Sequence, residues 1–363
     1  MNKKNLIITV YAISKNEEFF VDRWVESMKE ADNIVVLDTG STDNTVKKLK
    51  QKGVNVYQEV ISPWRFDVAR NKSLQFVPNN TDVCVCTDLD EIFEPGWRQK
   101  IEQTWQENTK LLKYKYVWNI LENGKDGITF FYEKIHALKN FKWTYPVHEI
   151  LAPLKPLKDQ EISTCPNLIL RHFPDPNKSR GQYLSLLELS VKEYPNSDRN
   201  THYLAREYMF AGQYEKAIKT FKKHLKLPTA NWKEERSASY RYMGNCFLKL
   251  NKKSLAKKAY ENAITESFNT REPYLALAQF YYFNKDYLNC AFVVENMLKI
   301  QHKNLTYITS PDCWNEYPFD LLSFCYFNLK QFNLATFYAQ KALLLNPNDN
   351  RIKNNYELFK KYV

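Results

Sequence analysis

Glycine is scarce in this chain: there are eight among 363 residues, at positions 40, 53, 96, 124, 127, 181, 212 and 244. No arrangement of them makes a GxGxxG dinucleotide turn or a GxxxxGK[ST] phosphate loop, which argues against standard Rossmann dehydrogenases, P-loop nucleotide hydrolases and protein kinases. An HExxH zinc motif is also lacking. The seven cysteines are an odd number and include no CxxC, so neither a zinc ribbon nor a disulfide framework is supported. A reducing, cytoplasmic setting is expected. No apolar run reaches membrane-spanning length. After Lys3 and Lys4, Leu6–Ile13 is short and leads into Lys15-Asn16-Glu17-Glu18 rather than a small-residue cleavage site, so it reads as a first strand and not a leader.

What is present is charge, and it is uneven. Residues 1–175 carry 24 Lys/Arg against 24 Asp/Glu, whereas residues 176–363 carry 28 against 17, which accounts for the whole net charge of +11. The shift predicts a boundary, with domains at 1–175 and 176–363, and points any anionic partner or surface to the second half. The basic excess by itself does not indicate nucleic acid. Its lysines lie in helical segments without a recognition motif, and a solvated face accounts for them.

The first half alternates. Apolar runs at Leu6–Ile13, Asn33–Asp38 and Asp82–Thr87, with a short one at Asn55–Glu59, read as strands. Glu17–Lys29, Asp43–Gln51 and Phe66–Phe76 read as helices. The pattern predicts an α/β domain with a largely parallel sheet, whose ligands gather at the carboxyl ends of the strands. The second half is helical and repetitive. Ala205, Gly244, Ala278 and Ser323 are 39, 34 and 45 residues apart, and each is followed by an aromatic and a second small residue. These segments resemble tetratricopeptide repeats, with insertions after the first and third.

Three polar groups end predicted strands. Thr87-Asp88-Leu89-Asp90-Glu91 is acidic. Carboxylates of this kind suit Mg²⁺ or Mn²⁺ carrying phosphate oxygens, although a DxD triplet alone equally describes a solvated turn. Asp38-Thr39-Gly40-Ser41-Thr42-Asp43 is explained in its later part as a helix start. Asp38 is left over, and is a candidate to accept a hydrogen bond from a base or ribose. Ser14-Lys15-Asn16-Glu17-Glu18 follows the first strand and is expected beside Asp38.

In this order, and with Ala69-Arg70-Asn71 between the second and third groups, the set resembles family-two glycosyltransferases of the GT-A fold. The resemblance implies an α/β GT-A nucleotide-sugar domain followed by an all-α tetratricopeptide-like domain. It implies an inverting, metal-dependent transfer of a sugar from a UDP-sugar to an acceptor. Ile13, Lys15 and Asp38 would edge the uracil and ribose, Arg70 the base or diphosphate, and Asp88 the ribose or sugar. Asp90 would hold Mn²⁺ or Mg²⁺, with His172 as a late ligand. Glu149, in Val147-His148-Glu149, would be the base that deprotonates the acceptor; the more usual Glu-Asp is replaced here by His-Glu. The combination with trailing repeats is similar to bacterial transferases that glycosylate peptides, including on cysteine sulfur. The repeats would then hold a protein or peptide acceptor or form a homodimer. The alternatives are a non-catalytic repeat scaffold on a degenerate sugar-nucleotide domain, or a transferase acting on a cell-wall or lipid-linked glycan. His136, His202, His224 and His302 have no companions in the sequence and carry no assignment.

Overall fold

The computed structural model describes residues 6–122, 124–175 and 181–363. The chain divides into two compact units, Met1–Ser190 and Val191–Val363. The expected boundary at 175/176 falls at the edge of residues 176–180, which, like Lys3 and Lys4, lie outside the described residues.

The first unit contains β1 (Ile8–Ser14), α1 (Val21–Met28), β2 (Asn33–Asp38), α2 (Thr45–Gln51), β3 (Asn55–Gln58), α3 (Phe66–Gln75), β4 (Val83–Cys86), β5 (Glu91–Phe93), α4 (Trp97–Thr104), β6 (Leu111–Val117), β7 (Thr129–Ala137), β8 (Phe141–Thr144), β9 (Ile150–Pro153) and β10 (Ile162–His172). The chain continues into α5 (Tyr183–Glu193), which spans the division between units. Eight strands form one sheet in the order β3-β2-β1-β4-β7-β6-β10-β5, and β8 and β9 form a separate hairpin. β1 is central and buried along nearly its whole length, as a strand covered on both faces must be. Its parallel neighbours β2 and β4 are equally apolar.

The largely parallel sheet expected from the sequence is present from β3 to β4. Beyond it the sheet is mixed. β7 runs antiparallel to both β4 and β6, and β5 runs antiparallel to β10. The physical reason is connection length. β6 and β7 are joined by the eleven residues 118–128, with no helix among those described, a connection that serves an antiparallel pair, whereas a parallel pair needs a longer crossover. α1 lays Val21, Trp24 and Met28 into the core, and the Trp24 indole donates to Thr87 Oγ1 at 3.1 Å, tying the helix to the end of β4.

The second unit is a stack of helix pairs: α6 (Asp198–Phe210) with α7 (Tyr214–His224), α8 (Lys233–Lys249) with α9 (Lys253–Glu266), α10 (Glu272–Phe283) with α11 (Tyr287–Leu298), and α12 (Tyr317–Asn328) with α13 (Phe332–Leu345). α14 (Asn350–Lys360) follows. The turn inside each pair places a left-handed residue at Gly212, Asn251, Lys285 and Lys330. The next amide then reaches back to an aromatic residue's carbonyl, Gln213 to Tyr208, Lys252 to Phe247, Asp286 to Tyr281 and Gln331 to Tyr326, at 2.8–2.9 Å. This is the helix-ending bond of a Schellman turn. It recurs at the spacing of 39, 34 and 45 residues read from the small residues, so the sequence period is the structural period. Gly244 shows why small residues are needed. A Cβ there would meet the Tyr260 ring at 2.4 Å, so α8 and α9 could not pack as closely as they do.

Candidate functional site

Two constellations form at the carboxyl edge of β1, β2 and β4. The first is a pair of interlocked loops. Asn16 adopts φ 54°, which turns the chain after β1 and lets its amide donate to Ser41 Oγ at 2.8 Å while its own Oδ1 accepts from the Thr42 amide at 2.7 Å. The Glu17 amide donates to Thr45 Oγ1 at 2.8 Å, and the Glu18 carboxylate accepts from the Asn44 amide at 2.8 Å. Asp38 organises this joint. Its wholly buried carboxylate accepts from the amides of Gly40 (3.1 Å) and Ser41 (2.9 Å) and from the hydroxyls of Ser14 (3.0 Å) and Ser41. Those four bonds fall on the same carboxylate that the sequence reading offers to a base or ribose. Ile13 is half-buried at the end of β1 and Lys15 is exposed on the loop beyond it.

The second constellation is ionic. Arg70, from α3, is buried and donates through Nε to Glu149 and through Nη2 to both oxygens of Asp88 at 2.9 and 3.2 Å; its guanidinium lies 5.1 Å from the Trp143 ring. Burial acts against its charge, but Asp88 and Glu149 outweigh it and hold the cation firmly. Lys134, from β7, lies 3.2 Å from both Asp88 and Glu91. Glu91 also accepts from the Tyr116 hydroxyl at 2.9 Å and the Asp88 amide at 2.9 Å. Burial favours a neutral Asp88, but Arg70 and Lys134 overcome it and keep its carboxyl far below the usual range. Glu91 shifts the other way, because burial and its acidic neighbours exceed the help from Lys134.

Asp88 and Asp90 lie in the turn between β4 and β5 and serve different partners. Asp90 Oδ2 lies 3.3 Å from His172 Nε2, at the end of β10. His172 Nδ1 is 2.9 Å from the Trp118 carbonyl, to which it donates, so Nε2 is the nitrogen turned toward Asp90. Val147-His148-Glu149 lies in the turn of the β8–β9 hairpin, with His148 at φ 49°, and this turn delivers Glu149 to Arg70.

The structure thus brings Arg70, Asp88 and Glu149 into direct contact and pairs Asp90 with His172. Among the described residues no hydrogen bond joins Lys15 to either group. Four carboxylates, Asp88, Asp90, Glu91 and Glu149, face two permanent cations, Arg70 and Lys134. The Asp90–His172 pair offers one oxygen and one nitrogen donor to Mn²⁺ or Mg²⁺. The residues present therefore fit a divalent cation.

Lys134 escaped the sequence reading. The available signal was its register, since Tyr132, Lys134 and His136 share the face of β7 that turns inward, an unusual place for a lysine. Lys134→Met should leave Asp88 and Glu91 without their shared counter-charge and destabilise the first unit by roughly 3 kcal/mol, the scale for removing one partner of a buried ion pair. A urea titration of the full chain that leaves its first transition unmoved would show that the lysine is dispensable.

Residues 9–158 match the family model described as glycosyl transferase family 2. Residues 204–231 and 319–349 match a tetratricopeptide repeat model. No curated protein matches the chain. The solved structures it is similar to include MamA, at 18% identity over 46% of this chain and 83% of that one with a TM-score of 0.36. Pseudomonas aeruginosa pilF is similar at 15% identity over 49% and 72%, with a TM-score of 0.37. YrrB, described as a tetratricopeptide repeat protein with an unusual peptide-binding site, is similar at 14% identity over 49% and 82%, with a TM-score of 0.36. The first unit therefore carries a glycosyltransferase domain, and the second carries repeats of a kind suited to protein interaction. No helix among the described residues is long and apolar enough to cross a membrane.

Proposed function

We propose that this glycosyltransferase moves a sugar from a UDP-sugar to a protein or peptide acceptor presented by the repeats, with inversion at the sugar carbon. The observation that carries the reading is the pairing of Asp90 with His172 beside an Asp88 fixed by Arg70 and Lys134, all at the carboxyl edge of the strands where open α/β sheets bind ligands. Asp90 and His172 would hold Mn²⁺ or Mg²⁺, which when bound neutralises charge developing on the departing diphosphate.

The chain's own residues supply the rest. Asp88, kept ionised by two cations and still a third exposed on its side chain, offers an acceptor to a ribose or sugar hydroxyl. Arg70 holds Asp88 and Glu149 in one frame, so the donor-side and acceptor-side carboxylates are positioned by a single guanidinium. Glu149 Oε1 is bound to Arg70, and Oε2 has no hydrogen bond among the described residues, which leaves it to take a proton from the acceptor. Asp38 acts on the donor through the loop it shapes, beside Ile13 and Lys15.

A hydrolysis panel of UDP- and GDP-linked sugars, with Mn²⁺, Mg²⁺ or chelator, tests the reading. Cleavage of one or a few UDP-sugars, dependent on added metal, is the expected result. Cleavage indifferent to chelator, or confined to GDP-sugars, would overturn the metal or the donor. No cleavage together with no UDP binding by calorimetry would leave the repeats as the working part of a scaffold.

A further inference from the structure

A second polar cluster lies in the repeat unit and takes no part in the chemistry above. His202 on α6, His224 at the end of α7 and Glu235 on α8 are buried, and one donor atom from each lies within 4.8 Å of the others. His224 Nε2 is 3.2 Å from Glu235 Oε1. Ser239, one turn along α8 from Glu235, places its hydroxyl 2.8 Å from His202 Nδ1 and 2.9 Å from His224 Nδ1. The Tyr307 hydroxyl donates to the other Glu235 oxygen.

The proton count in this network does not close. Both Glu235 oxygens accept, one from His224 Nε2–H at 3.2 Å and the other from the Tyr307 hydroxyl. His224 must then carry its proton on Nε2 to donate to Glu235, so its Nδ1 accepts the single hydroxyl proton of Ser239. Ser239 in turn accepts from His202 Nδ1–H. That leaves the lone pair of His202 Nε2 buried and without a hydrogen-bond partner. A bare nitrogen at full burial costs about as much as a lost hydrogen bond.

We propose that His202, His224 and Glu235 form a zinc site that ties the first helix pair of the repeat unit to the second. Two imidazoles and one carboxylate are a zinc donor set with room for one further ligand. Zinc ligands ~2.0–2.1 Å from the metal in a tetrahedral array lie ~3.3 Å apart, close to the His224–Glu235 separation of 3.2 Å. The metal also closes the proton count. With both rings ligating through Nε2, both Nδ1–H groups donate to the two lone pairs of Ser239, the outer-sphere bond that metal-bound histidines ordinarily make. The nearby guanidiniums of Arg206 and Arg241 oppose a dication, and the single charge of Glu235 offsets one of them.

The test uses the full chain stripped with chelator, then loaded with Zn²⁺ or Co²⁺ and freed of excess metal. Asp90→Asn is included so that the proposed donor-side cation is not mistaken for this one. The expected result is one equivalent of zinc that Asp90→Asn retains. His202→Gln and Glu235→Gln should each lose it, weakening binding by more than the ~10–100-fold typical of an outer-sphere change. The cobalt form should show the intense visible absorption of a four-coordinate ion. If either variant loses helical content by circular dichroism, the cobalt spectrum of the unmutated chain decides. No retained metal, zinc lost with Asp90→Asn, or zinc unaffected by His202→Gln would overturn the site.

Discussion

Asp90→Ala is expected to lower metal-dependent sugar transfer by ~10³-fold or more while leaving the chain folded. The rate effect follows from charge. Asp90 is one of two residues proposed to hold the cation, and a metal's stabilisation of transition-state charge is worth several kcal/mol, with each ~1.4 kcal/mol a factor of ten. Survival of the fold follows from position. Asp90 lies in the turn between β4 and β5, outside the apolar core, and its contact with the end of β10 through the Phe173 amide uses its backbone carbonyl, which the substitution keeps. His172 loses its carboxylate partner but keeps the bond to the Trp118 carbonyl. The check is a rate measured over a range of Mn²⁺ together with a thermal melt. Activity within tenfold of the unmodified enzyme would remove Asp90 from the metal site, and a collapsed melting temperature would show its role to be structural.

Glu149→Gln is expected to reduce transfer ~10²–10⁴-fold, the usual range for a lost general base, with UDP binding preserved. The side chain amide keeps the shape, and its oxygen can still accept from Arg70 Nε, so Arg70 should continue to frame Asp88. What the substitution removes is the capacity to take a proton. UDP affinity and transfer must be measured on one preparation, because the hairpin turn places Glu149 against the same guanidinium that holds the donor-side Asp88. Loss of both together would make Glu149 a positioning residue for Arg70. Transfer left intact would move the base to Glu91 or His148. The pH profile distinguishes acceptors. A thiol with pKa near ~8.5 is already partly ionised and needs less help, so a defect that shrinks as pH rises points to a sulfur-linked product.

The sequence was sufficient wherever the physics is local or periodic. Short, β-branched apolar runs of five to eight residues suit strands covered on both faces, which located β1, β2 and β4 and hence the edge where Asp38, Asp88 and Asp90 lie. The 39-, 34- and 45-residue spacing of small residues came from the need for paired helices to approach closely, and the left-handed turns at Gly212, Asn251, Lys285 and Lys330 repeat it without change. Pairing across long separations was decided by the tertiary structure alone. Arg70 meets Glu149 because the β8–β9 hairpin packs against α3, with Asn71 bonded to the Trp143 backbone. Lys134 enters the acidic cluster because β7 inserts antiparallel beside β4, a topology that hydrophobic runs do not encode. Asp38, offered by the sequence as a ligand candidate, is also the organiser of a loop, because the folded loop brings four donors to it. His202, His224 and Glu235 have nothing in common in the sequence. They meet only because three packed helices bury them together, and burial, by removing water, is what makes an unpaired imidazole nitrogen a chemical demand.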